Sequence, residues 1–339
     1  MKVLITGGAG FIGSHVVDKC VEGGHDVICL DSLDPGVHQS VPTYLRDEVE
    51  YCFADLRDWQ PDARFLDVEA VLHFAALGGV SRAASEPRNI ISANCIGTTN
   101  LAEYAKDLPK LKHFVLASSF SVYGSNYGFR CLECKKITMG VRGEENLRQG
   151  IFDVICPSCR CDTEIVPVSE DTQVAPLEGY AASKYMQELV LKSYRSIDAR
   201  IFRFSSVYGP RLRLNDSEAT IIAKLKGWIK SGKQPELFED GNQIRDWVHI
   251  DDLVGAVLAV LGGSEVPKVM NICSGHKTTL KEACEIIGRV LDKKIPAKVV
   301  GGYRAGDVRH CLGDPRSLKT VLGRSPIPFS VGAHILAND

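Results

Sequence analysis

Three glycines, Gly7, Gly10 and Gly13, stand directly after the β-branched run KVLIT and at the head of the helical stretch GSHVVDKCVEGG. Strand, tight turn and helix in that order constrain this chain more than any other feature. Glycines at this spacing let the backbone amides of a helix N-terminus approach a pyrophosphate with no side chain in the way. An ordinary turn would also use glycine, so the triplet alone does not separate the two readings. The pattern that follows does. DVICLD, AVLHFAA, HFVLASS and ARIFRFSS succeed one another, separated by stretches such as NCIGTTNLAEYAKDL, which is the βαβα rhythm of an α/β, doubly wound parallel sheet. Asp31 closes the second run, where a carboxylate accepts hydrogen bonds from ribose hydroxyls and repels a 2′-phosphate. Ser32 follows with no arginine nearby in sequence, so NAD is expected rather than NADP. The plainer alternative for Asp31 is a turn cap.

The chain has 339 residues, 45% hydrophobic and 24% charged, which is enough for one large folded unit or two modest ones and excludes a disordered or fibrous class. Its 40 basic and 42 acidic residues are well mixed, so nucleic acid is not an expected partner. The opening MKVLITGGAGFIGSH has a charged start and an apolar run, but glycines interrupt the run and no small-residue cleavage site follows. With no apolar stretch of bilayer-spanning length, no membrane partner is expected and a soluble cytoplasmic protein is. After Ser206 the rhythm weakens. Residues 1–205 are therefore expected to form the dinucleotide-binding domain and 206–339 mainly a smaller substrate domain, with 244–260 returning to the first. Residues 128–167 carry little apolar periodicity and interrupt the alternation, as an insertion would.

Tyr180 and Lys184 form a Tyr-x-x-x-Lys pair in GYAASKYMQEL, on one face of a helix. An ammonium beside a phenol favours phenolate, which is expected to lower the tyrosine pKa and make it a usable base. Ser118, Ser119 and Ser121 cluster at the end of HFVLASSFSVYG, at the carboxyl edge where ligands of open α/β sheets bind. A hydroxyl there can hold the reacting oxygen; the structural alternative, a turn cap, applies to Ser118 and Ser121.

Taken in order, TGGAGFIGSH, Asp31, ADLRD, HFAA, SSFSVYG, YAASK, SVYGPR, RDWVHIDD and RAGD resemble the extended short-chain dehydrogenase/reductase family, and within it the nucleotide-sugar epimerases. The resemblance implies a Rossmann domain with tightly bound NAD and a nucleoside-diphosphate sugar as substrate. By it, Ser119 is catalytic, Tyr180 is the base and Lys184 holds the nicotinamide ribose. Phe11 and Ile12 join the glycine turn; Asp31, Ser32, Asp55 and Leu56 fall on the adenosine side; Phe74, Ala75, Ala76 and Asn94 lie along the cofactor. Ser121, Ser206, Arg245, Arg304 and Asp307 face the substrate, the arginines because a planar guanidinium binds phosphate oxygens in pairs. The implied reaction is epimerisation, at C4, through a transient keto-sugar, and a homodimer formed by a helix pair is implied as well.

Three positions depart from relatives. Phe120 and Ser121 stand where 4,6-dehydratases carry Asp-Glu, so the acid and base that expel water are missing. Ser206 replaces an asparagine and Ala83 a serine. Two other readings stay open: a reductase or dehydrogenase consuming external cofactor, and a non-catalytic NAD-binding interaction protein, against which Ser119, Tyr180 and Lys184 together argue.

Within the insertion, Cys131 and Cys134 make one Cys-x-x-Cys and Cys156 and Cys159 a second. Two such pairs can close a tetrahedral shell of four thiolates around zinc, with no position open for substrate, so a structural zinc ribbon is expected. Cys161 is a spare that could replace Cys159. A pair of disulfides or a redox centre are the competing readings. An insertion at this place is similar to that of dTDP-L-rhamnose 4-epimerases, and its anchors between Ser119 and Tyr180 bring it near the mouth of the site. Cys20, Cys29, Cys52, Cys95, Cys273, Cys284 and Cys311 are scattered singly and read as small apolar residues.

Overall fold

The β-branched runs pair into one seven-stranded sheet. From edge to edge it holds Val269–Ile272, Ala199–Phe204, His113–Ser119, Ala70–His73, Lys2–Thr6, Asp26–Asp31 and Glu50–Phe53, and every neighbouring pair is parallel. This computed structural model describes residues 1–140, 142–212, 220–304 and 307–338; Ala305 and Gly306 of the RAGD motif lie outside them. Because the sheet is covered on both faces, its central strands are buried along most of their length, while the edge strand Glu50–Phe53 is partly exposed. Val3, Ile5, Val27 and Leu72 face one layer, with the helices Phe11–Glu22 and Ile250–Leu261. Leu4, Ile28, Val71 and Phe114 face the other, with Gly97–Ala105 and Gly179–Ser193. The chain runs outward from Lys2–Thr6 through the next two strands, then returns to that strand's other side with Ala70–His73. This reversal opens a crevice between the two strands' carboxyl ends.

The return to the sheet extends further than 244–260. Val269–Ile272 supplies the seventh strand and the helix Arg316–Leu322 packs beside Ile250–Leu261, so residue 205 does not divide two independent units. What remains of the C-terminal part forms a lobe around Tyr208, Ile222, Trp247, Ile287 and Phe329. Its helix Leu280–Val290 starts with a capping box, Thr279 and Glu282 each satisfying the other's backbone amide.

The insertion is a small antiparallel sheet with Gly128–Cys131 between Ile137–Met139 and Thr163–Ile165. Tyr127, Phe129, Val154 and Ile165 at its base share a core with Phe120, Val122 and Tyr123, the turn that follows Ser119. Burying apolar side chains of this size stabilises by about 2 kcal/mol each. Among the described residues no helix is long and apolar enough to cross a membrane.

Candidate active site

The crevice is an open cleft, and Gly7, Gly10, Asp31, Ser32, Asp55, Leu56, Phe74, Ala75 and Ala76 line it, all of them expected from sequence. Gly7 adopts φ +71°, and a Cβ there would stand 2.6 Å from the Ala75 amide nitrogen. At Gly13 a Cβ would stand 2.1 Å from the Gly7 carbonyl oxygen, so the helix closes directly onto the turn. Gly10 caps that helix without a side-chain hydrogen bond, and its first turn has no acidic residue. The orphan amides of a twelve-residue helix are thus left for a ligand anion at the cleft, and the site fits a dinucleotide pyrophosphate. Phe11, Ile12 and Gly13 build the turn without lining the cleft; Phe11 and Ile12 pack into the core behind it.

Asp31 both faces the cleft and caps the turn. Its carboxylate accepts from the Ala9 amide at 3.0 Å and the Leu33 amide at 2.9 Å, tying the glycine loop to the end of the second strand. Asp34, Val37, His38 and Arg57 also line the cleft, a set the sequence reading did not contain. The expectation that no arginine lies near the ribose end therefore holds along the chain and not in space. Arg57, however, is committed to Asp55 at 2.6 Å, and Arg82 to Asp34 at 2.7 Å, so neither offers an uncompensated charge to a 2′-phosphate.

Asn94 sits in a single π-helical turn, Ser92–Ile96, buried. Its amide donates to the Leu77 carbonyl and to Ser183, both at 2.9 Å, and its oxygen accepts from the Leu77 amide at 2.7 Å. It reaches the cleft only through Leu77, which it holds. His73 is braced similarly between the Thr6 and Thr98 hydroxyls at 2.6 and 2.7 Å, and burial pushes its pKa down to about 3.

The chemical centre lies where the strand His113–Ser119 ends. Ser119 caps the following turn, its Oγ accepting from the Ser121 amide at 3.1 Å and the Ser121 hydroxyl at 3.0 Å. Tyr180, in the first turn of Gly179–Ser193, lies close enough to the Ser119 hydroxyl for that hydroxyl to act on its phenol. Lys184, one turn further, is 3% exposed. Burial pushes the Tyr180 phenol up and the Ser119 hydroxyl pulls it down, with burial prevailing. The lowered phenol expected from the Lys184 pairing is therefore not found. The lysine itself pays for its burial, which brings it down to about 7 against the raising influence of Glu188.

Ser118 has the structural role. It donates to Glu188 at 2.6 Å, and Glu188 takes Arg203 in a buried pair at 2.8 and 3.0 Å. Arg203 continues to the Tyr123 hydroxyl at 3.1 Å, and Tyr123 donates to Asn271 at 2.7 Å. This network underlies both Lys184 and the turn after Ser119. A second organiser missed in the sequence is Asp246. Fully buried, it accepts from the Ser274 amide and hydroxyl, the Gly275 amide and the Gly313 amide at 2.7–3.0 Å.

On the substrate side, Ser206 and Ser121 are half-buried. Arg245 donates to the carbonyls of Ile244 and Arg309 at 2.9 and 2.7 Å, and Arg304 stacks over Phe238 with its guanidinium carbon 5.2 Å from the ring centroid. Burial, with the charge of Asp307 in second place, raises the carboxyl of Glu178, the N-cap of the Tyr180 helix.

The four cysteine sulfurs of the insertion lie within 4.8 Å of one another, with Cys131 to Cys159 at 3.4 Å and Cys134 to Cys156 at 3.6 Å. A tetrahedron of sulfurs about 2.3 Å from zinc places them roughly 3.8 Å apart, so the donor set and its spacing suit that ion. Lys135 and Arg160, each just after the second cysteine of a pair, both have positive φ, at 60° and 59°, so the two knuckles turn alike. Cys161 points its thiol at the Cys159 carbonyl instead.

Sheet, cleft and Ser-Tyr-Lys centre define a dinucleotide-binding enzyme of the short-chain dehydrogenase/reductase type. The profile of the NAD dependent epimerase/dehydratase family matches residues 3–139 and 147–273, and the chain belongs to that family. It is similar to the dTDP-L-rhamnose 4-epimerase of Burkholderia thailandensis, 30% identical with 96% of this chain and 90% of the relative covered. It is also similar to the UDP-glucose 4-epimerase of Mycolicibacterium smegmatis, 29% identical over 96% and 94%. Among solved structures it is similar to the UDP-N-acetylglucosamine 4-epimerase of Methanobrevibacter ruminantium M1 in complex with UDP-N-acetylmuramic acid. There the TM-score is 0.80 at 27% identity, covering 99% of this chain and 97% of that one.

Proposed function

We propose that this chain is an NAD-dependent nucleotide-sugar epimerase that inverts C4 of the hexose. The observation that carries the reading is the convergence of Ser119, at the end of its strand, with Tyr180 and with Lys184 buried one turn away, set at the carboxyl edge of the sheet beside a cleft shaped for a dinucleotide. The names of the three relatives given above, each a 4-epimerase, agree with it.

In this mechanism Ser119 holds the oxygen of the reacting hydroxyl and Tyr180 takes its proton. Burial raises the phenol, so the base becomes effective only where its phenolate is stabilised, as the Ser119 hydroxyl does. Gly7, Gly10, Asp31 and the uncapped helix amides would hold NAD, which would supply reversible hydride acceptance at the sugar carbon. After the keto-sugar has turned over, Tyr180 returns the proton. Arg245 and Arg304 grip the diphosphate and Asp307 the ribose, with Ser121 and Ser206 along the sugar. Phe120 and Ser121 supply neither acid nor base, so the sugar keeps its water.

Incubating the protein as purified with a panel of nucleoside-diphosphate sugars, with no cofactor added, tests this. An isomer of unchanged mass, approached from both sides, supports the proposal. A requirement for added NADH would instead make the enzyme a reductase, and loss of water a dehydratase.

Three further assignments accompany this reading. Cys131, Cys134, Cys156 and Cys159 hold a structural zinc ion, supported by the convergence of their sulfurs. The protein is a homodimer, supported by Ile91, Ile96, Met186 and Leu189, large apolar side chains left exposed on neighbouring helices. It works in the cytoplasm, because a reducing compartment preserves cysteines that are all unpaired; cell fractionation checks the last point.

A further inference from the structure

Where the cysteine-rich insertion meets the C-terminal lobe, six charged or titratable side chains converge that the catalytic centre does not use. Arg142 and Asp153 come from the insertion; Glu239, Asp240, Arg309 and His310 come from the lobe. Arg142 Nη1 donates to Glu239 at 2.7 Å and to the Phe152 carbonyl at 3.2 Å. Arg309, 1% exposed at its side chain, pairs with Glu239, Asp153 and Asp240 together. The Ile244 amide donates to His310 Nδ1 at 3.0 Å, which leaves Nε2 to carry the proton and donate to Asp153 at 2.8 Å.

Buried ion pairs are costly to assemble, and an apolar contact of the same size would hold two lobes together as well. What such pairs provide is a fixed register, and here the register is that of one segment. Arg142 Nη2 donates to the Asp307 carbonyl at 2.7 Å, while Arg245 donates to the Arg309 carbonyl at 2.7 Å from the strand side. Residues 307–310 are thus clamped from two directions. One clamp belongs to the insertion, whose base packs under the turn after Ser119. Residues 140–146, which contain Arg142, fall in the gap of the family match.

We propose that Arg142 and Asp153 are positioning residues for the nucleotide-sugar: the insertion acts as a buttress that sets residues 307–310 against the catalytic helix, so that Asp307 meets the substrate's ribose and Arg304 its diphosphate. This rests on the nucleotide-sugar reading of those two residues. It gives the insertion a part in substrate affinity and none in the proton transfer itself.

The test uses the NAD-loaded, metal-loaded protein and two variants, Arg142→Met and Asp153→Asn. Losing charge-assisted hydrogen bonds at this clamp should raise KM for the nucleotide-sugar, and Kd for UDP or dTDP measured by calorimetry, about tenfold or more. At the same time kcat should fall by less than about threefold, because the proton-transfer centre is untouched. Arg142→Lys, which can reach one acceptor in place of three, should recover part of the affinity. Bound NAD, read from absorbance, should not change. Unchanged KM and Kd in variants that retain NAD would overturn the proposal, and so would a fall in kcat matching the loss of affinity, which would mark a general structural role. If the unaltered protein binds neither UDP nor dTDP, the nucleotide-sugar reading fails before any variant is compared, and the buttress falls with it.

Discussion

In the parallel sheet, Val3, Leu4 and Ile5 are fully buried within one five-residue strand, Val3 and Ile5 against one helix layer and Leu4 against the other. In the insertion, strands of three or four residues leave Ile137 57% exposed, and Met139 and Leu132 are exposed as well. The first region is held by apolar area and by backbone ladders that need no particular side chain. The second is too small to bury a sufficient core of its own, so it depends on four converging thiols, a shared apolar base and the ion pairs of Arg142 and Asp153. The comparison teaches why one chain carries two stabilising chemistries. The sheet must present backbone amides to a cofactor, whereas the insertion must hold a distant segment in register.

The largest expected effect follows from removing one thiol. Cys156→Ser should abolish a site worth on the order of 10 kcal/mol to the insertion. Zinc content should fall to near zero, and proteolysis should cut between residues 128 and 167 while bound NAD persists. NAD loss in step with zinc loss would break the comparison, since the sheet would then depend on the metal too.

A smaller effect is specific to the sheet. His73 is neutral in the fold, with its pKa held down to about 3, and titrates near 6.5 when unfolded. Between those values the unfolded chain binds a proton that the folded one refuses. Stability is therefore complete above pH 6.5 and is lost as pH falls toward 3, by a few kcal/mol in order of magnitude. Denaturant midpoints from pH 7 to pH 4 should show this fall, and His73→Gln should flatten it. An equal slope in both proteins would remove His73 as the cause.

The smallest effect on the cleft is expected at Met186. Met186→Glu places a charge on the exposed helix face, so sedimentation velocity should shift from dimer to monomer with NAD content unchanged. A parent protein that already sediments as a monomer would refute the dimer.

The sheet and the cofactor turn were legible because their signals are local. Gly7 and Gly13 follow one strand directly, Asp31 ends the next, and Tyr180 and Lys184 share one helical face. The four cysteines were legible for the same reason, by pairs. The Arg82–Asp34 pair near the cleft, the Glu188–Arg203 pair and the Arg142–Glu239 clamp were not, because their partners come from separate elements and no periodicity marks them. Asp246 looked like one more charge in RDWVHIDD, and only its burial shows that it gathers two loops. Val269–Ile272 was missed as a strand because four residues after a weakened rhythm carry too little pattern. The Tyr180 phenol was misjudged because helical spacing reveals the neighbouring ammonium and says nothing of burial.

The central claim is that Ser119, Tyr180 and Lys184 run an epimerisation on NAD held by the sheet. Its most direct test compares the protein with Tyr180→Phe, measuring bound NAD by absorbance and isomer formation by NMR on the same samples. The account predicts equal NAD in both and a loss of isomer formation of roughly 10³-fold in the variant. Turnover within a few-fold of the parent, with the same NAD content, would contradict it.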